Sequence, residues 1–309
     1  MFEIPEKSER PAVSSLFIII GLIIVGIAAG NILSMIWILV KFPPQTYSIF
    51  DLQESVALSS KNWWFTVLNL GLSSIFTFIL PGIFYWTKIE KKKLNDFNPK
   101  SLPVIGVFAL AFIIQLIFAP LNGTIQEYNQ NMKLPAFIRP LEQFMQEMEQ
   151  SLAQLTEFLT SFQSPLELLV ALVVIAGIAG IGEELIFRGL IQRKIYYASK
   201  NPHLAIWLAA FIFSAIHFQF YGFFPRLFLG AMFGYFYFWT GNLWVPIAAH
   251  IFNNGLAVVM IFLVNKKVIP AEVEKMDQVP LSLAITSLFL FLGSMWYFRG
   301  YALKEEIQS

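Results

Sequence analysis

A chain of 309 residues that is 57% hydrophobic and only 13% charged, with mean hydropathy +0.64, carries about half the charge expected of a soluble domain. Its net charge of +1, without a basic patch, argues against a nucleic-acid surface, and the absence of cysteine excludes disulfides, thiolate nucleophiles and thiolate metal sites. Long apolar runs occur without the alternating segments of a β-barrel, so the fold class is an all-α, polytopic transmembrane helical bundle.

The first ten residues, MFEIPEKSER, precede SSLFIIIGLIIVGIAAGNILSMIWILV, a run too long for a signal-peptide core and expected to be a retained first span. About eight spans are predicted, at 14–40, 64–86, 103–120, 165–187, 204–220, 226–240, 243–264 and 281–298. The fourth is expected to continue as helix through FRGLIQRKIYYASK until NPH turns the chain. The sixth is short for a crossing at about 1.5 Å per residue. Its Gly230 and Gly234 form a GxxxG, a pattern common in membranes that permits close helix packing.

The longest break between spans, 121–164, ends in RPLEQFMQEMEQSLAQLTEFLTSF. Leu141, Phe144, Met148, Leu152, Leu155, Leu159 and Phe162 recur there at three- and four-residue spacing, which predicts an amphipathic helix. Its charges are nearly all acidic, against docking on an anionic lipid surface. It is expected to pack over the outer ends of the spans, with a substrate-gating cover as the alternative. With the N-terminus inside, thirteen Lys and Arg side chains lie on the inner side, including Lys7, Lys100 and the compact KIEKKK, and eight on the outer side, including Arg226 and Lys275. That bias places both termini in the cytoplasm, and the multi-pass chain is expected in the cell inner (cytoplasmic) membrane.

Polar chemistry concentrates in three places. GIGEELIFRG puts Glu183 and Glu184 where a carboxylate costs about 2.5 kcal/mol or more unless it faces protein or a wet cavity. Glu184 and Arg188, four apart, share a helix face and can pair, which leaves Glu183 as the freer carboxylate. FIFSAIHF carries Phe213 and His217. Glu183 and His217 lie seventeen residues either side of position 200, where the helical hairpin turns, so antiparallel helices hold them at one depth. PIAAHIFNNG carries His250 and Asn254 on one face, with Asn253 the close alternative. His203, in the NPHL turn, reads as a surface residue.

A buried carboxylate serves as a general base for water, and histidine and asparagine donors stabilise an amide's tetrahedral oxyanion. Zinc held by Glu183, His217 and His250 is the other arrangement these residues allow. HExxH is absent, so the residues leave metal and metal-free chemistry open. GxSxG is absent too, and Ser214 has no acidic partner evident. An interhelical salt bridge or an inert polar network remains the structural alternative.

The ordered set Glu183-Glu184-x-x-x-Arg188, Phe213-x-x-x-His217 and His250-x-x-x-Asn254 resembles the CPBP family of intramembrane proteases, which includes Rce1-type CAAX prenyl endopeptidases and bacterial Abi proteins. The likeness covers roughly 165–260, including YFYFWTGNLWVPIAAHIFNN. It implies that Glu183 activates the hydrolytic water, that Glu184 and Arg188 support the site, and that His217 positions the water. His250 and Asn254 match the oxyanion-stabilising pair, and Phe213 is a packing residue. A glutamate mechanism without metal is expected over zinc, although the family was long classed as metalloproteases. The expected substrate is a membrane-embedded or lipid-anchored peptide, in contact with membrane lipids and without nucleic acid; a non-catalytic bacteriocin-immunity or scaffold role is the alternative. The chain then divides into 1–164 (three spans and the extracytoplasmic amphipathic helix), 165–264 (catalytic core) and 265–309 (loop, last span and cytoplasmic tail).

Overall fold

The computed structural model describes residues 10–44, 49–98, 101–133, 135, 137, 139–162, 164–270 and 279–308. The residues before Arg10, including Lys7, and the charge-tally residues Lys100 and Lys275 lie outside these. Helices α1 (Ala12–Lys41), α2 (Ile49–Ser60), α3 (Trp63–Ile89), α4 (Ile105–Gln130) and α5 (Arg139–Thr160) come first. They are followed by α6 (Pro165–Ser199), α7 (Pro202–Ala215), α8 (Phe223–Thr240), α9 (Trp244–Asn265) and α10 (Leu281–Gln308). No strand occurs among the described residues.

Among the described residues, six helices, α1, α3, α4, α6, α9 and α10, are long and apolar enough to cross a membrane. The chain is a multi-pass membrane protein. Predicted spans 204–220 and 226–240 differ from this set. Helix α7 has 14 residues, about 21 Å at the helical rise, short of a hydrocarbon core of about 30 Å. It stops at Ala215 because Ile216, His217 and Phe218 close a turn, Phe218 at φ 53°. Helix α8, 18 residues long, is packed among α4, α6, α7, α9 and α10. Its aromatic residues are therefore covered by protein, and it needs less apolarity than a lipid-facing span. The two form a hairpin from Lys200 (φ 56°) to Gly241 (φ 60°). Six spans or eight, the parity is even.

Helix α4 outruns its predicted end at 120 by ten residues and passes through Pro120. Proline removes one N–H and crowds the preceding turn. The side chain of Ser287 on α10 makes this tolerable, accepting from Leu121 N at 3.3 Å and donating to Ile117 O at 2.5 Å.

Helix α6 runs unbroken to Ser199, where NPH turns the chain as expected; Asn201 caps α7 through Leu204 N. π-helical turns at Leu172–Ile178 and Leu185–Gln192 bracket the two glutamates. Such turns recur at functional sites. Helix α5 lies over the ends of α3 and α9 distant from the hairpin turn: Trp63 Nε1 donates to Leu159 O at 3.0 Å and Asn265 Nδ2 to Thr160 O at 2.8 Å. At the opposite end a buried knot ties α6 to α3 and the start of α1. Lys194 Nζ sits 2.7 Å from Glu90 Oε1, which also accepts from Tyr85 OH at 2.5 Å.

Candidate active site

Helix α6 carries Glu183 and Glu184 one residue apart, so their side chains leave it about 100° apart. Glu184 points into protein. Its side chain is 0% exposed, and Oε1 takes both Arg188 Nη1 at 2.6 Å and His250 Nδ1 at 2.7 Å. Arg188, 1% exposed, donates from Nη2 to Gly230 O at 2.9 Å and stacks over Phe213 at 4.8 Å. This is possible because Gly230 leaves its backbone bare: a Cβ there would stand 3.3 Å from Arg188 Nη2 and 3.2 Å from Ala210 Cβ. One turn on, Gln192 Nε2 donates to Gly234 O at 3.0 Å. The GxxxG of α8 therefore serves as a landing strip for two polar side chains of α6.

Glu183 instead faces a cavity of about 400 Å³, lined also by Phe213, His217, His250, Asn253 and Asn254. Its Oε2 is 3.7 Å from His250 Nε2. Close approach of α6 to α9 sets this distance: a Cβ on Gly180 would lie 3.1 Å from Ile251 Cγ1 and 3.4 Å from Ile251 N. His217 sits in the turn beyond α7 rather than on the helix, with Nδ1 2.8 Å from Phe213 O. A carbonyl only accepts, so Nδ1 carries the proton and Nε2 is the remaining nitrogen. His250 is held in the same sense, Nδ1 being engaged by the Glu184 carboxylate. Phe213, 4% exposed, stands edge-on to both imidazoles, at 5.0 Å from His217 and 6.0 Å from His250. Asn254 Nδ2 donates to Ile175 O at 3.3 Å, and Asn253 Nδ2 to Asn254 Oδ1 at 3.2 Å.

These positions fall within one sequence match. A family model described as "Type II CAAX prenyl endopeptidase Rce1-like" matches residues 165–256. That segment is similar to Rce1-like domains. A curated relative, the uncharacterized protein YpbD of Bacillus subtilis (strain 168), is 36% identical over 72 residues, which cover 22% of this chain and 33% of YpbD. The match therefore spans a third of that protein's length. No solved structure matches.

All seven residues singled out from the motifs lie within the matched segment, and five of them, Glu183, Phe213, His217, His250 and Asn254, line the cavity, together with the alternative Asn253. Glu184 and Arg188 do not line it; Glu184 contacts His250 and Arg188 stacks over Phe213 behind the wall. Ser214 is turned away, donating to Phe223 O at 2.6 Å, which braces the α7–α8 tip. His203 is exposed, with Nδ1 2.7 Å from Tyr235 OH. Glu183, His217 and His250 share the cavity, yet among the described residues no three His, Asp or Glu side chains gather closely enough to hold a metal ion. The zinc arrangement does not fit this geometry.

Sequence reasoning missed part of the lining. Arg226 and Gln219, at the α7–α8 tip, join at 2.5 Å, and Asn122 and Gln126 enter from the α4 extension. Glu149 comes from α5. Arg226 had read as one outer charge among eight. Its signal was position, directly after the turn that carries His217.

Proposed function

We propose that the chain is an intramembrane endopeptidase that hydrolyses peptide bonds of membrane-associated substrates, with Glu183 activating water. The single observation that supports this most is the cavity-facing Glu183 carboxylate 3.7 Å from an imidazole that a second, fully buried carboxylate orients. The Rce1-like match over the same residues supports it independently.

In this reading Glu183 takes a proton from water as the water oxygen attacks the scissile carbonyl. The carbonyl oxygen becomes an oxyanion, met by the Asn254 or Asn253 amide and by His250 Nε2 in its protonated form. The C–N bond then breaks, and the proton on Glu183 passes to the leaving amine. His217 holds the water through Nε2. Glu184 and Arg188 are positioning residues: they fix the His250 ring so that Nε2 faces Glu183. No step passes through a metal. Dialysis of the purified protein against a chelator is expected to leave the rate unchanged, and loss of activity restored by zinc would contradict the glutamate route.

The test compares membrane-protein termini in cells carrying wild type or Glu183→Gln, measured by mass spectrometry. Defined new termini that appear only with wild type are the expected result. Identical termini in both, with both proteins in the membrane at equal abundance, would leave a non-catalytic role on this fold.

A further inference from the structure

Three of the buried polar atoms that lack a hydrogen-bond partner in this protein belong to residues lining the same cavity: Arg226 Nη1, Asn122 Oδ1 and Glu149 Oε2. Each comes from a different element, α8, α4 and α5. None belongs to the Glu183–His250 pair. A buried donor or acceptor left unmade costs about 1–3 kcal/mol, so three around one hollow mark a surface built to be completed by a polar ligand.

The donor is a guanidinium, already half committed. Arg226 Nη2 is fixed by Gln219 Oε1 at 2.5 Å, which leaves Nη1 extended with no acceptor. A planar guanidinium with a free edge recognises a carboxylate better than a neutral amide. The two acceptors suit N–H groups, which a peptide main chain supplies. Glu149 lines the cavity near enough for its charge to act on the Arg226 guanidinium without a hydrogen bond from Nη1, and that charge opposes an incoming anion.

We infer that Arg226 is a specificity-determining residue: it binds a carboxylate of the peptide substrate in the cavity, beside the scissile bond, while Asn122 accepts a main-chain N–H. This rests on the peptidase reading of the same cavity. The carboxylate is either the free C-terminus of the peptide or an acidic side chain within it. Arg226 touches substrate without entering proton transfer, so its loss raises KM and leaves kcat nearly intact. Loss of the opposing Glu149 charge lowers KM.

The experiment uses the full chain carrying Glu183→Gln in phosphatidylethanolamine–phosphatidylglycerol nanodiscs. The probes are apolar decapeptide libraries in three forms: free C-terminal carboxylate, C-terminal amide, and C-terminal amide with one internal glutamate. Retention of one carboxylate form at least about tenfold above the neutral amide is expected, and which form is retained names the source. Arg226→Gln removes the preference, Arg226→Lys keeps part of it, and Glu149→Gln strengthens it. Equal retention of neutral and carboxylate peptides, no retention of either, or a preference that survives Arg226→Gln overturns the proposal. Should Arg226→Gln not fold, the Glu149→Gln arm decides, since unchanged or weaker retention there also overturns it. The wild-type protein is assayed for hydrolysis on the same libraries. Cleavage without carboxylate preference sinks the subsite and spares the peptidase; preference without cleavage does the reverse.

Discussion

Glu184 Oε1 is shared by a guanidinium and an imidazole, while Oε2 has no hydrogen-bond partner. One carboxylate thus neutralises Arg188 and orients His250. Glu184→Ala would strand Arg188, 1% exposed, with only the Gly230 carbonyl and aromatic faces, a loss of about 3–5 kcal/mol by analogy with broken buried pairs. A thermal melt in detergent checks this, and an unchanged midpoint would contradict it. Glu183→Gln, on the cavity wall, is expected to keep the midpoint within about 1 kcal/mol in stability while activity falls at least about a hundredfold. The Glu184–Arg188 pair was legible because four-residue spacing puts both on one helix face. The Glu184–His250 bond was not: 66 residues separate the partners, and only the close approach at Gly180 brings them together. Asn122 and Glu149 were illegible for a similar reason, since each reaches the cavity from an element outside the motif-bearing segment.

Two contacts between elements hold this register. On α8, a Cβ at Gly234 would stand 2.7 Å from Gln192 Oε1 and 2.9 Å from Ile206 Cγ2. Gly234→Ala must push α6 or α7 aside, at about 1–3 kcal/mol. The expected result is a lower melting temperature with activity reduced more than Gly293→Ala produces, a position with nothing within 4 Å. At the far end of α6, Lys194 and Glu90 are each 1% exposed and pair at 2.7 Å. Lys194→Ala leaves Glu90 buried without its cation and costs about 3–5 kcal/mol; denaturant or thermal unfolding reads it. The hydrophobic runs announced every long helix, because lipid contact demands apolar residues over a full crossing length. They predicted crossings at α7, which is too short at 14 residues, and at α8, which is packed among five helices, and they stopped α4 at Pro120, because the compensating hydroxyl of Ser287 lies far away in the sequence.

Across the whole molecule, the cavity lies at the end of the bundle away from Arg10 and the Lys194–Glu90 knot, beneath α5. We propose that both termini lie in the cytoplasm, which would put the cavity toward the outer face. The natural absence of cysteine makes this directly measurable. With an impermeant maleimide, Ser199→Cys and Lys304→Cys are expected to label from the cytoplasmic side and Lys133→Cys from the other. Labelling of Lys133→Cys and Ser199→Cys from one side would contradict the topology. Hydrolysis in that cavity requires Glu183 to work as a base on bound water. The most direct test is peptide hydrolysis by purified protein in lipid vesicles, wild type against Glu183→Gln at matched folded fraction. Turnover by wild type and none above background by the variant is expected; equal turnover by both would rule out Glu183 as the base.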